Sequence, residues 1–328
     1  MSGYETAARF AARTVLIGTL TMSGCAGIQS TFSTFGVEAE STRMLTLVMA
    51  AAAAAITLGV LWIARHAVRA PEGSLDHDGG MRVILWLGAI VPTLLLTLLL
   101  LLVLPKMRPL SAASDNVDVD VQGEQFWWRV RYNQAGAEPV ETANEIRVPI
   151  GRTVSFALES PDVIHSFWIP GLAGKMDMIP GRTTRLVVQA TRSGVFRGVC
   201  AELCGLSHAL MAFDVTAMEP AEFDAWLLSL AAPAADVGGP GRKLFDQYGC
   251  PSCHVVAGHF AGSPIGPDLT HMGSRRSLAA GTLPMTQDAI ARFIRDPASV
   301  KPGALMPAFK RMPAEDAQAV AAYLAALR

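Results

Sequence analysis

Cys200-Ala201-Glu202-Leu203-Cys204-Gly205-Leu206-Ser207-His208-Ala209-Leu210-Met211 places two thiols, an imidazole and a thioether within twelve residues. That donor set is soft: thiolate and thioether favour copper, zinc or iron–sulfur, and imidazole suits copper and zinc. A second histidine, His165, lies upstream in a segment rich in β-branched and aromatic residues. Two Cys, two His and a Met exceed what one tetrahedral zinc takes. The stretch predicts a copper site holding more than one ion.

Around it the pattern is that of short strands. Val117, Val119 and Val121 alternate with Asp118 and Asp120, the period-two signature of a half-buried strand. Phe126–Tyr132, Ile146–Pro149, Thr153–Phe156, Arg185–Val188 and Met211–Val215 continue the series between Gly and Pro turns. Such a run predicts a β-sandwich or barrel, assigned here to residues 111–232 and closed by a helix over Glu219 to Leu230. Residues 233–241 form an Ala/Pro/Gly linker with no periodicity, fit to tether a further domain.

That domain, residues 242–328, opens on a helical segment, Arg242 to Tyr248, leading into Cys250-Pro251-Ser252-Cys253-His254. This is the attachment pattern of c-type haem: the thiols form thioethers and the adjacent His binds iron. A redox CxxC or half a zinc ribbon would not need the His, and no second CxxC follows. Met272, Met285, Met306 and Met312 compete for the opposite axial position. Met306 sits in a Pro-bounded loop, which suits a thioether presented to a cofactor, whereas the other three read as core filler. Gly266-Pro267-Asp268-Leu269 is expected to pack against the ligating His, and His259 and His271 read as loop histidines. His/Met ligation leaves iron no open site and implies electron transfer. The domain ends on a helix, Glu315 to Leu327, with Ala317, Val320, Ala321 and Leu324 at helical spacing.

The 328-residue chain is 51% hydrophobic and only 17% charged, which points to membrane spans. Two apolar runs, about 44–64 and 83–104, are each long enough to cross the ~30 Å hydrocarbon core. They place a transmembrane hairpin within 26–110, and flanking Arg and Lys leave its orientation nearly tied. Residues 1–25 read as an export leader, with Arg9 and Arg13 before a short apolar stretch. Ser23-Gly24 ahead of Cys25 resembles a lipoprotein processing site, although Met22 stands where Leu is usual. The bland alternative is an unprocessed anchor with an unmodified Cys25.

Net charge is −1 overall but uneven. From Ser111 to Ala232 there are 9 Lys and Arg against 15 Asp and Glu, a net of −6; from Gly241 to Arg328 there are 10 against 6, a net of +4. The two domains therefore attract each other. The sequence shows no internal repeat, no phosphate-binding glycine loop, no nucleophile–base pair and no nucleic-acid-binding pattern.

Together these residues resemble subunit II of a haem–copper cytochrome c oxidase, in the bacterial form with a fused C-terminal cytochrome c. Asp162-Val163-Ile164-His165-Ser166-Phe167-Trp168-Ile169-Pro170, Lys175-Met176-Asp177-Met178-Ile179-Pro180-Gly181-Arg182 and the Cys200–Met211 stretch carry the resemblance. It implies a multi-domain membrane protein: a two-helix transmembrane hairpin, an all-β cupredoxin-like Greek-key barrel and an all-α class I cytochrome c domain. It also implies a dinuclear CuA centre bridged by Cys200 and Cys204. His165 and His208 would each bind one copper, and Met211 and the Glu202 carbonyl would be weak outer ligands. The Glu202 side chain would reach a magnesium shared with subunit I.

The implied role is to pass electrons from a periplasmic cytochrome c or similar donor, through haem c and CuA, to the oxygen-reducing centre of subunit I in a proton-pumping oxidase. Subunit III is a further implied partner. Copper and haem insertion would put both domains on the periplasmic side of the bacterial inner membrane, which settles the orientation. One departure stands out. The family commonly has Gly-His-Gln-Trp where this chain has Gly123-Glu124-Gln125-Phe126-Trp127-Trp128, so Phe126 replaces the tryptophan credited with receiving electrons. Either the aromatic swap is tolerated packing, or electrons come from the tethered haem. The rivals are the CuA subunit of another respiratory enzyme such as a nitric oxide reductase, and a copper-delivery or thiol-redox protein. The latter would have no use for Met211 and two histidines. A quinol oxidase is disfavoured because that branch lacks the copper ligands.

Overall fold

The alternating valines of the first strand, β1 (Val117–Glu124), are all buried, and they face the inner side of a two-sheet β-domain. This computed structural model describes residues 27–328 except 72, 75, 135 and 236; the expected leader and Cys25 lie outside them. One sheet contains β1, β2 (Trp127–Asn133), β3 (Val140–Ala143), β5 (Thr153–Glu159) and β8 (Thr184–Gln189). The other contains β4 (Glu145–Pro149), β6 (His165–Trp168), β7 (Met176–Met178), β9 (Gly194–Cys200) and β10 (Ala212–Met218).

The chain crosses repeatedly between the sheets, pairing β1 with β5 and β4 with β10 in parallel and the other neighbours antiparallel. The expected cupredoxin-like domain is thus a sandwich. Between its layers lie Trp128, Phe156, Phe167 and Phe213, with ring centroids 5.0–5.8 Å apart in the contacting pairs, spacings at which aromatic rings attract beyond their area burial.

A strap ahead of the membrane helices belongs to this core. Phe35 is fully buried and stacks on Phe196 of β9, centroids 3.5 Å apart. Its N–H donates to the Gly171 carbonyl and its own carbonyl accepts from Thr191, both at 2.7 Å.

The β-domain is followed by helices α4 (Pro220–Ala231), α5 (Pro240–Gln247), α6 (Gln287–Arg295), α7 (Pro297–Val300) and α8 (Ala314–Ala326); α1–α3 precede the β-domain and are described below. Ala317, Val320, Ala321 and Leu324 of α8 are buried, as their spacing demands, together with Phe245 of α5. Helix α6 was not expected from the sequence. Thr286 caps it by accepting from the Ala289 N–H, and Ile290, Ala291 and Ile294 form its buried face. A short hairpin, β11 (Ser277–Leu278) with β12 (Leu283–Pro284), interrupts an otherwise helical region.

Residues 41–110 form a separate unit. Helix α1 (Val37–Arg69) contains the first apolar run. The second run falls in α2 (His77–Val83), a π-helical segment Ile84–Ile90 and α3 (Val91–Val103). Both helical stretches are long and apolar enough to cross a membrane, and their apolar windows bury nothing within the chain. The hydroxyls of Thr46, Thr57 and Thr97 each donate to a carbonyl four residues back at 2.8 Å, satisfying polar groups where lipid offers no partner.

Replacing Phe35 with Ala should destabilise the β-domain by roughly 3–5 kcal/mol, the cost of emptying a buried aromatic site. Denaturant unfolding followed by tryptophan fluorescence measures it; a loss under about 0.5 kcal/mol would detach the strap from the core.

Candidate metal centre

Strand β9 ends at Cys200 and β10 begins at Ala212, so the stretch between them is the connection of an antiparallel hairpin. The Cys200 N–H donates to the Met211 carbonyl at 2.9 Å, pinning both ends of that connection. His165 opens β6, which pairs with β9 through Phe167 opposite Cys200. Sheet register therefore brings residues separated by 35 positions to one point.

At that point the donors converge. The Cys200 and Cys204 sulfurs lie 3.9 Å apart. His165 Nδ1 is 3.8 Å from the Cys200 sulfur, and His208 Nδ1 is 3.8 Å from that of Cys204. The Met211 Sδ lies 3.8 Å from the Cys204 sulfur, and the Glu202 carbonyl 3.2 Å from that of Cys200. His165, Cys200 and Cys204 are buried and form a group able to hold a metal. Metal–sulfur bonds of roughly 2.3 Å would let one ion touch both sulfurs without moving β9 or the connection that carries Cys204. The donors outnumber the needs of a single tetrahedral ion, so the set fits the copper pair expected from the sequence.

Charge and hydrogen bonding prepare these atoms. In the metal-free pair, the Cys204 S–H and the His165 ring favour the Cys200 thiolate against the opposing effect of burial, and its pKa falls to about 3. The thiolate beside it pushes Cys204 up. Burial opposes a charged His165, but its contacts with Cys200 and Asp162 outweigh burial and raise its pKa. Asp162 Oδ1 sits 2.8 Å from His165 Nε2, which fixes the ring with Nδ1 towards the sulfurs. Gly123 makes room for this: a Cβ there would lie 3.0 Å from the His165 ring.

A second candidate centre is a cavity of about 360 Å³ walled by Cys250, Cys253, His254 and Met306, with Ile294 and Leu324 among its apolar lining. His254 Nδ1 lies 2.8 Å from the Pro267 carbonyl, so Nε2 is the nitrogen left for a metal. Burial lowers the pKa of this histidine, holding it neutral. The expected Gly266–Leu269 contact is present, since a Cβ on Gly266 would lie 2.7 Å from the His254 ring. Met272 and Met285 also line the cavity, while Met312 is buried outside its lining. His259 bonds to Tyr323 and His271 to the Ala232 carbonyl.

Arg275 was missed by sequence reading. It is buried in the cavity wall, donates from Nη2 to the Asp268 carbonyl, and keeps a buried Nε without a partner. A buried donor left unpaired is costly, and a haem carries carboxylates that would satisfy it. Thiols, imidazole, apolar walls and a buried guanidinium with an unpaired Nε all fit a covalently held haem. Asp162 was read only as part of a motif; its place three residues before a ligating His was the available clue. In the Phe126–Trp128 run, whose three aromatics are the candidates for electron entry, Phe126 and Trp128 are buried and Trp127 is half-buried, with Arg129 stacked 4.6 Å over it.

Residues 120–218 match the family described as "Cytochrome C oxidase subunit II, periplasmic domain", and residues 239–328 match "Cytochrome c". A cytochrome c oxidase subunit 2 from Alkalihalophilus pseudofirmus is 33% identical over 349 aligned residues, covering 100% of this chain and 99% of that protein. Its counterpart from Bacillus sp. strain PS3 is 34% identical over 261 residues, covering 75% of this chain and 72% of that one.

Asp162→Ala should weaken copper binding about 10- to 100-fold, as loss of an outer-shell carboxylate does. Competition with a calibrated copper chelator measures this, and unchanged affinity would remove Asp162 from its orienting role.

Proposed function

The chain belongs to the cytochrome c oxidase subunit 2 family, and we propose that it carries electrons from a periplasmic cytochrome c or similar donor to the haem–copper centre of subunit I. The transfer runs through the cytochrome domain first and the copper domain second, and oxygen is reduced and protons are pumped in subunit I. As a member of that family the chain is one subunit of an oxidoreductase and a membrane protein with a periplasmic domain. The observation that carries the reading is the convergence of two sulfurs, two imidazole nitrogens, a thioether and a carbonyl at the β9–β10 connection.

Cys200 and Cys204 would bridge a copper pair, His165 and His208 would each hold one ion, and Met211 and the Glu202 carbonyl would complete the set. Cys250 and Cys253 would anchor haem c, with His254 and Met306 on its iron and Arg275 at its carboxylates. When bound, these groups supply reversible one-electron redox chemistry and no bond-making step. The protein keeps the donors still: β6, β9 and β10 fix the ligands at strand ends, and Asp162 locks the His165 ring. Such rigidity suits fast electron transfer because little has to rearrange.

Glu202, half-exposed between the thiols, would offer its carboxylate to a magnesium at the boundary with subunit I. Subunit III completes the proposed complex. Both domains would lie on the periplasmic side of the bacterial inner membrane, which puts both chain ends outside, and Cys25 would carry a lipid.

Metal analysis and optical spectroscopy of the full-length chain, which keeps the Phe35 strap, test the reading. A pair of coppers and a single haem iron per chain are expected, with thiolate–copper charge-transfer bands. Copper-free protein with a reactive dithiol would favour a thiol-redox role instead. Met306→Ala should change the haem spectrum; a change on Met272→Ala alone would move the axial ligand to Met272.

A further inference from the structure

The cytochrome domain and the copper domain belong to one compact unit, and one turn of the copper domain meets both candidate cofactor sites. Gln125 and Phe126 join β1 to β2 and also line the cavity assigned to haem. The same turn is hydrogen-bonded to both copper-ligand segments. The Gln125 N–H donates to Asp162 at 2.7 Å, and the other oxygen of that carboxylate holds His165. The Gln125 side-chain amide donates to the Cys204 carbonyl. One turn thus borders the haem cavity and touches a thiol and an imidazole branch of the copper site.

The loop that carries Met306 lies on this turn. Lys301 is 4% exposed and its Nζ donates to the Phe126 carbonyl. Ser207, beside the copper ligand His208, donates to the Pro302 carbonyl at 2.7 Å. Gly303 has φ of +81°, and a Cβ there would lie 3.1 Å from the Phe126 ring and 3.4 Å from Leu206. Only glycine combines that backbone with so close an approach. Phe126, at 5% exposure, is therefore covered by the chain's own cytochrome domain.

We propose that the Lys301–Met306 loop is an intramolecular docking surface, that Lys301 is the residue positioning it on the Gln125–Phe126 turn, and that electrons cross to the copper ligands through this turn, which a separate cytochrome cannot reach. The inference rests on the proposed electron-transfer reading and adds the route and its latch. The step moves one electron from ferrous haem, which becomes ferric, to the oxidised copper pair, which is reduced by one. No bond is made or broken. Burial pushes the Lys301 pKa down to about 7, so docking desolvates the ammonium at a cost that its bond to the Phe126 carbonyl offsets. The Gln125 branches give the turn short bonded routes to Cys204 and His165, whereas Trp128, which lies 6.3 Å from the His165 ring, is sealed in the sandwich core.

The test uses the full chain loaded with both cofactors. The Ala212 N–H donates to the Ala280 carbonyl across the same domain boundary at 3.1 Å, so its hydrogen exchange reports undocking. Lys301→Met should raise that exchange about tenfold, and Lys301→Met with Ser207→Ala on the order of 100-fold, as expected for loss of a charged and then a neutral hydrogen bond. Core amides of each domain should not change. After photoreduction of the haem, the double variant should show a slow phase of copper reduction absent from the parent, with the copper and haem bands unaltered. Lys301→Arg, which keeps a cationic donor, should restore most of the fast phase. Unchanged Ala212 exchange, or unchanged haem-to-copper transfer in a fully loaded double variant, overturns the proposal. If Lys301→Met does not accumulate, Ser207→Ala alone carries the exchange measurement, with about a fivefold rise expected. Absence of copper or haem from the parent chain would instead overturn the underlying reading.

Discussion

Two sulfur atoms held 3.9 Å apart at the end of a sheet are the constraint on which the rest of the copper domain depends. Thiols that close in a buried site cannot both ionise without a cation, so the fold must supply the geometry before a metal supplies the charge. It does so with backbone. Cys200 is fixed by β9 and by its bond to Met211, while the Ala201 N–H donates to the Ser166 carbonyl at 2.9 Å. Phe35, stacked beneath β9 on Phe196, supports the strand that delivers the first thiol. A peptide located just before the first membrane helix is in this way tied to the position of a candidate metal ligand.

The contacts between the copper and cytochrome domains follow a different logic. Opposite net charges lead one to expect ion pairs, yet the basic side chains seen at the boundary bond to main-chain carbonyls. Arg129 donates to Pro264 and Ile265, Arg197 to Gly281 and Lys301 to Phe126. Arg129 is neutralised within its own domain by Glu124 and Glu141 at 2.7 and 2.6 Å. Long-range charge guides encounter and sets specificity. Carbonyl contacts fix register, because each demands one backbone position rather than any nearby carboxylate.

Much of this was legible in the sequence, for reasons that differ by residue. Cys200, Cys204, His208 and Met211 share one loop, and the CxxCH run is local, so spacing alone exposed them. The valines of β1 and the apolar face of α8 announced themselves by period. His165 was counted with the loop ligands as an upstream histidine, but its approach to the thiols is not visible in spacing, because it depends on the pairing of β6 with β9. Asp162, Gln125 and Arg275 were not given roles. Each acts through a contact made by tertiary folding, and an aspartate near a histidine or an arginine pair in a loop is indistinguishable from solvated surface. Helix α6 escaped because its buried face is only three residues wide and its cap, Thr286, lies beside a proline hairpin.

The tether changes what the domain boundary has to achieve. Short flexible linkers hold a partner at an effective concentration in the mM range, and a contact worth only about 4 kcal/mol is half-occupied there. Affinity is then nearly free, and what the boundary must provide is orientation. That is consistent with a surface built from a few directed bonds and a glycine pressed on an aromatic ring rather than from a large apolar patch. It also gives a physical reason for Phe126. A side chain that must attract a diffusing protein has to be exposed, and tryptophan offers the larger face. One covered by a domain already tethered in place needs only to fit beneath Gly303, and phenylalanine is the smaller ring.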